Sequence, residues 1–159
     1  MIDIQRVDYA NPTQAADLLN LLNIYALDPM GGGQPLDDYV HQNLIKALQA
    51  FNGAISLLAY KDERAVGLLN AFEGFSSFAA RPLINIHDLM VLDNYRGQGI
   101  AQQLLGECES IAKNLGCCKI TLEVLAGNKV AKASYRQFGF DSYVLDEGMG
   151  TAEFWQKTL

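Results

Sequence analysis

With 159 residues, half of them hydrophobic and 19% charged, the chain fits one soluble α/β domain whose core is well filled. The net charge of −6 argues against a nucleic-acid-binding surface, which needs clustered Lys and Arg to neutralise phosphates, and leans toward cationic partners. No apolar run is long enough to span a bilayer and residues 1–9 lack the regions of a secretion signal, so a cytoplasmic protein with no membrane partner is expected.

Residues 2–6 alternate like a strand, and Asn11-Pro12 opens a helix that should run to about Ala26, with Asn as N-cap and Pro at the first helical position. Gly31-Gly32-Gly33 breaks regular structure. Leu36, Val40, Leu44, Leu48 and Phe51 then recur at helical spacing and give a second amphipathic helix that ends at Asn52-Gly53. Residues 54–60 and 65–72 are apolar runs flanking Lys61-Asp62-Glu63-Arg64, the pattern of a hairpin. A looser segment, 73–82, leads to an apolar central strand over 83–92.

Ile100, Leu104, Cys108, Ile111 and Leu115 form the stripe of a third helix, with Gly116 at its C-cap. Residues 119–125 read as a strand and 129–138 as a fourth helix, and strands near 140–145 and 152–158 finish the chain. The fold class is thus α/β, a single domain over 1–159 with four helices and a mixed sheet of about seven strands, in the order βααβββαβαββ. Nothing in the sequence marks a domain boundary or an internal repeat.

The strongest local signal is Tyr95-Arg96-Gly97-Gln98-Gly99-Ile100-Ala101, between the central strand and the third helix. Glycines let a backbone approach a ligand closely, and the N-H groups at a helix start favour an anion, so a phosphate or pyrophosphate fits there. The turn is neither a P-loop, since no Lys-Ser/Thr pair follows, nor a dinucleotide fingerprint, since Gln102 stands where the third glycine belongs. A plain strand-to-helix turn is the bland alternative.

Arg96, Gly97, Gln98, Gly99, Ile100 and Ala101 resemble the Q/R-x-x-G-x-G/A signature of the GNAT acetyltransferase superfamily, with Ala101 in place of the commoner glycine. Asn128, Ala131, Tyr135, Gly139 and Phe140 resemble the same family's N-x-x-A-x-x-x-Y-x-x-x-G-F segment. The element order matches the family as well. The resemblance implies a GNAT fold, acetyl-CoA as cosubstrate with its pyrophosphate on residues 96–101, and pantetheine along the backbone of Leu89, Met90 and Val91. It further implies that Asn128 and Ala131 contact the cofactor and that Tyr135 protonates the departing thiolate.

Taken alone, Asn128 also suits an N-cap, and Tyr135 a half-buried packing residue. Asn85, His87 and Asp88 interrupt the central strand. Alternation puts Asn85 and His87 on one face and Asp88 on the other, unless a bulge shifts the pattern. An imidazole can take a proton at neutral pH, and relatives of the resembled family place a His or Glu here, so His87 is the candidate base; the alternatives are a structural histidine with Asp88 as its partner, Asp88 itself, or water.

His41 is expected at the surface or pocket rim, and Arg81 is a candidate partner for an acceptor carboxylate. Cys117 and Cys118 read as core packing. Cys108, Cys117 and Cys118 lack CxxC spacing, and only His41 and His87 could join them, so no metal is expected. The expected reaction is direct transfer of an acetyl group to the amine of a small molecule or peptide, without an acetyl-enzyme. A catalytically silent acetyl-CoA sensor is the rival, and a homodimer is allowed.

Overall fold

A computed structural model describes every residue except Leu145 and Glu147. Its chain contacts fall into two compact units, Met1–Leu122 and Glu123–Leu159, each described by itself. The first unit carries β1 (Ile2–Arg6), α1 (Pro12–Leu27), α2 (Asp38–Ala50), β2 (Ala54–Lys61), β3 (Arg64–Ser76), β4 (Arg81–Val91), α3 (Ile100–Asn114) and β5 (Ile120–Leu122). The starts of α1 and α2 are set by side chains. Asn11 accepts from the N-H groups of Thr13 and Gln14 at 3.0 and 3.3 Å with Pro12 behind it, and Asp37 accepts from the Val40 N-H at 2.8 Å.

The sheet order is β1-β2-β3-β4-β5, with antiparallel neighbours up to β4 and a parallel β4–β5 pair. Alternation divides the core between the two faces. Leu18 and Leu21 of α1 and Leu48 of α2 pack with Leu58, Leu68 and Met90 on one face. On the other, a Cβ placed on Gly67 would lie 3.2–3.3 Å from Leu104, Ile100 and Ala59, so this glycine is where α3 comes down onto the sheet. Fully buried residues such as Leu57, Leu69, Leu104 and Leu105 each contribute about 1.5–3 kcal/mol of transfer energy.

The hairpin between β2 and β3 turns on Asp62 and Glu63 alone, both in the left-handed region at φ 50° and 62°, as a two-residue turn with primed geometry requires. Two expectations need correction here. The segment 73–82 is not loose, because β3 runs on to Ser76 and β4 starts at Arg81, pairing Glu73 with Ile84 and Ser76 with Arg81. Among the described residues, moreover, the sheet has five strands and not about seven.

The second unit holds α4 (Lys129–Phe138). The strands expected near 140–145 and 152–158 are absent among the described residues, which show one isolated bridge, Val144 to Thr151; Leu145 lies outside them. For the first of these segments the physical reason is local competition. Asp141 accepts from the Ser142 N-H and Asp146 from the Gly148 N-H, and such short turns occupy groups that a ladder would need. Among the described residues the chain order is therefore βααβββαβα.

Candidate active site

The site begins with a fault in the register. Asn70 of β3 pairs with Asp88 of β4, but the next residue, Ala71, pairs with Ile86, so His87 is the extra residue of a β-bulge. The bulge brings His87 and Asp88 to one face, the face that also carries Phe72 and Asn70. His87 is exposed and its ring meets Phe72 edge-on, with centroids 4.8 Å apart. Of the two arrangements open to these residues, plain alternation and a bulge, the bulge is the one found.

The same bulge marks the end of the β4–β5 ladder. β5 pairs only with Ile84, Asn85 and Ile86, so among the described residues no strand pairs with that edge of β4 at Leu89, Met90 or Val91. Their other edge is tied to Leu69, Leu68 and Gly67. An open strand edge offers backbone N-H and C=O groups to an extended ligand.

That edge leads directly into the glycine turn. Gly97 and Gly99 sit in the left-handed region at φ 74° and 75°, and a Cβ on either would meet nothing within 4 Å, so their backbones face open space. Gly99 is the N-cap of α3 and supplies no side chain to it, while Gln103 donates to the Gly99 carbonyl at 3.1 Å as the helical ladder starts. The start of an α-helix presents N-H groups with no intrahelical partner and a positive dipole end. Ile100 contributes backbone only, since its side chain is buried against Gly67. Ala101 stands in the first turn.

Two side chains of the turn are committed elsewhere. Arg96 donates Nε to the Val91 carbonyl at 3.1 Å and pairs with Asp93 at 2.8 Å and Asp28 at 3.5 Å, which fastens the end of β4 to the turn and to the residue after α1. Gln98 accepts from Lys61 Nζ at 2.8 Å.

Three residues that sequence reasoning missed lie beside Asp88. Asn70 Nδ2 donates to Asp88 Oδ2 at 3.0 Å, Ser56 Oγ donates to Asn70 Oδ1 at 2.6 Å, and Tyr9 OH donates to Ser56 Oγ at 2.9 Å. Ser56 and Asn70 are the buried polar residues among those described. Burial pushes the Asp88 carboxyl up, opposed by the Asn70 hydrogen bond and the nearby His87 charge, while burial and the charges of Asp88 and Asp28 push the Tyr25 phenol up. The signal available in the sequence was a Ser and an Asn inside otherwise apolar strands.

Asn85 Nδ2 donates to Thr121 Oγ1 at 2.9 Å. Arg81 donates Nε to the Gly116 carbonyl at 3.2 Å, and His41 is exposed. Burial pushes the Cys108 thiol up to about 12 and, with Glu73 and Cys118, raises Cys117, the opposite of what a nucleophile needs.

In the second unit the other motif closes both ends of a helix. Asn128 Oδ1 accepts from the Ala131 N-H at 3.1 Å as N-cap. Gly139, at φ 109°, lets the Phe140 N-H return to the Tyr135 carbonyl at 3.0 Å, and the Phe140 ring packs on Tyr135 with centroids 5.9 Å apart. A Schellman cap has this bond and this apolar contact, so the spacing Tyr-x-x-x-Gly-Phe has a structural cause of its own. Tyr135 is half-buried on α4.

A β4 with an open edge running into a left-handed glycine turn and a helix start describes an α/β protein with backbone groups placed for an extended, anionic ligand. The sequence profile of the acetyltransferase (GNAT) family matches residues 18–140, and the chain belongs to that family. It is similar to an aminoglycoside N(6')-acetyltransferase type 1 from Acinetobacter genomosp. 13, 28% identical over 110 residues that cover 67% of this chain and 75% of the relative. It also resembles a thialysine N-epsilon-acetyltransferase from Mus musculus, 34% identical over 65 residues, 41% of this chain and 38% of the relative. In fold it matches the crystal structure of a transcriptional regulator from Bacillus halodurans C-125, with a TM-score of 0.81 at 20% identity and all of both chains covered.

Proposed function

We propose that the chain is one acetyltransferase domain over 1–159 that moves the acetyl group of acetyl-CoA onto a primary amine by direct attack in a ternary complex. The observation that carries this reading is the end of the β4–β5 ladder at Ile86, which leaves the edge of Leu89, Met90 and Val91 open and continuous with the turn at Gly97 and Gly99. The pantetheine arm lies along that edge and the pyrophosphate meets the N-H groups at the start of α3, with Arg96 shaping the turn more than contacting the anion.

The amine enters from the face that the bulge equips with His87 and Asp88. His87 takes the proton of the ammonium group, and the neutral nitrogen attacks the thioester carbonyl. Backbone N-H groups of β4 polarise that carbonyl, and holding two reactants together supplies much of the acceleration. As the C-S bond breaks, Tyr135 gives its proton to the thiolate and the phenolate takes back the remaining extra proton of the attacking nitrogen, leaving a neutral amide, with Asn128 and Ala131 setting the start of its helix. The acceptor class follows the named relatives: a small cationic amine such as an aminoglycoside or a lysine analogue. The acidic chain suits such a partner. A catalytically silent sensor finds no support of its own, since the likeness to a transcriptional regulator at 20% identity speaks to fold alone.

The test is a calorimetric titration with acetyl-CoA, NAD and ATP, followed by a screen of primary amines (an aminoglycoside, a diamine, lysine and a peptide N-terminus) for CoA release. Acetyl-CoA should bind and raise the melting temperature by mass action. ATP or NAD binding more tightly than acetyl-CoA overturns the cosubstrate assignment.

A further inference from the structure

Asp88 ends a row that crosses three strands. Ser56 on β2 pairs with Asn70 on β3, and Asn70 pairs with Asp88 on β4, so the three side chains stand side by side on one face of the sheet. Their hydrogen bonds have one possible direction. The single Ser56 hydroxyl proton goes to Asn70 Oδ1 at 2.6 Å, so at 2.9 Å the Tyr9 hydroxyl is the donor to Ser56, and Asn70 is left to present its Nδ2 to Asp88 at 3.0 Å. Every donor in the chain points toward the carboxylate.

We infer that Asn70, Ser56 and Tyr9 form a positioning relay that holds one oxygen of Asp88 and so presents the other to the ammonium group of the acceptor. The inference rests on the acetyl-transfer reading. Asp88 Oδ2 takes the Asn70 bond, while Oδ1 accepts no hydrogen bond among the described residues. Ser56 and Asn70 are only 2% and 3% exposed, between the buried apolar residues Ile55 and Leu57 and Leu69 and Ala71, and a polar pair buried there costs free energy unless it is fully satisfied. The pair is satisfied, and its output is the orientation of one carboxylate at the lip of the bulge.

The groups around Asp88 are His87 on its own strand, Tyr25 from α1 with Asp28 behind it, Asn70 from β3, and Tyr9 through the chain. Tyr25 is a phenol whose pKa burial raises further, so it brings no charge of its own to Asp88, and the open carboxylate oxygen is left for the ammonium group of the substrate.

Tyr9→Phe and Ser56→Ala break the relay without touching Asp88. Two readings separate a relay from mere packing: the carbon-13 NMR titration midpoint of the Asp88 carboxyl, and kcat/KM at several pH values for the amine that the wild type acetylates fastest in the screen. Loss of donors raises the midpoint and moves the acid limb of kcat/KM to higher pH. At neutral pH kcat/KM for the amine falls roughly two- to tenfold, the worth of one hydrogen bond, while KM for acetyl-CoA holds.

A structural role alone lowers the melting temperature and leaves midpoint and limb in place, which overturns the relay. Both variants keeping the wild-type midpoint and kcat/KM does the same while acetyl transfer stands. A wild type that acetylates no amine strikes the functional reading, and the relay's role with it.

Discussion

His87 meets the ring of Phe72 edge-on at 4.8 Å because a bulge inserts it between Ile86 and Asp88 and turns it to the face of β3 on which Phe72 stands. The contact fixes an exposed imidazole at the point where the β4–β5 ladder stops. If His87 accepts the amine proton, His87→Ala lowers kcat by about 10²- to 10⁴-fold with little change in acetyl-CoA affinity. Raising the pH partly restores the rate, since a neutral amine needs no protein base. Steady-state kinetics on the true acceptor checks this, and wild-type kcat at neutral pH removes His87 from the mechanism.

Gly99→Val tests the turn. An L-residue at φ 75° is strained by about 1–2 kcal/mol, and a β-branched one by more, while open space around the site means that no clash adds to the cost. The folded variant should bind acetyl-CoA more weakly, because its side chain stands where the anion approaches the helix start. Unchanged affinity in a titration places the pyrophosphate elsewhere.

The sequence made much of this legible. The cap Asn11-Pro12, the left-handed Gly116 one residue past the C-cap Leu115, the turn Asp62-Glu63 and the bounds of α4 all follow from local chemistry that needs no tertiary partner. The bulge at His87 could be named only as an alternative to alternation, because register is a relation between two strands and leaves no mark on either one. Glu73, Gly74 and Phe75 escaped assignment to β3 for a related reason: all three are exposed, so the alternation that betrays a strand is missing. Ser56 and Asn70 were passed over inside apolar runs, and only the cross-strand pairing with Asp88 gives them meaning.

Asp88 should cost stability at neutral pH. Burial raises its folded pKa above the unfolded value, so the native state holds the proton more tightly. This group therefore favours folding most below the ordinary carboxylate range, and that contribution is lost as pH rises through the folded pKa. Asp88→Asn keeps an acceptor for Asn70 and removes the charge. Its melting temperature should match the wild type at low pH and exceed it increasingly up to neutrality. A gap that is constant with pH, or that reverses sign, shows that Asp88 is not held in a desolvated place.

Direct transfer of an acetyl group from acetyl-CoA to an amine is best tested in a single turnover with carbon-14 acetyl-CoA, quenched over time and resolved into protein, acceptor and thioester. The label should leave acetyl-CoA and appear on the amine in step with free CoA, only when both substrates are present, with none held covalently on the protein. Label that accumulates on the protein before it reaches the amine, or acetyl-CoA that binds and is never consumed with any amine, contradicts it.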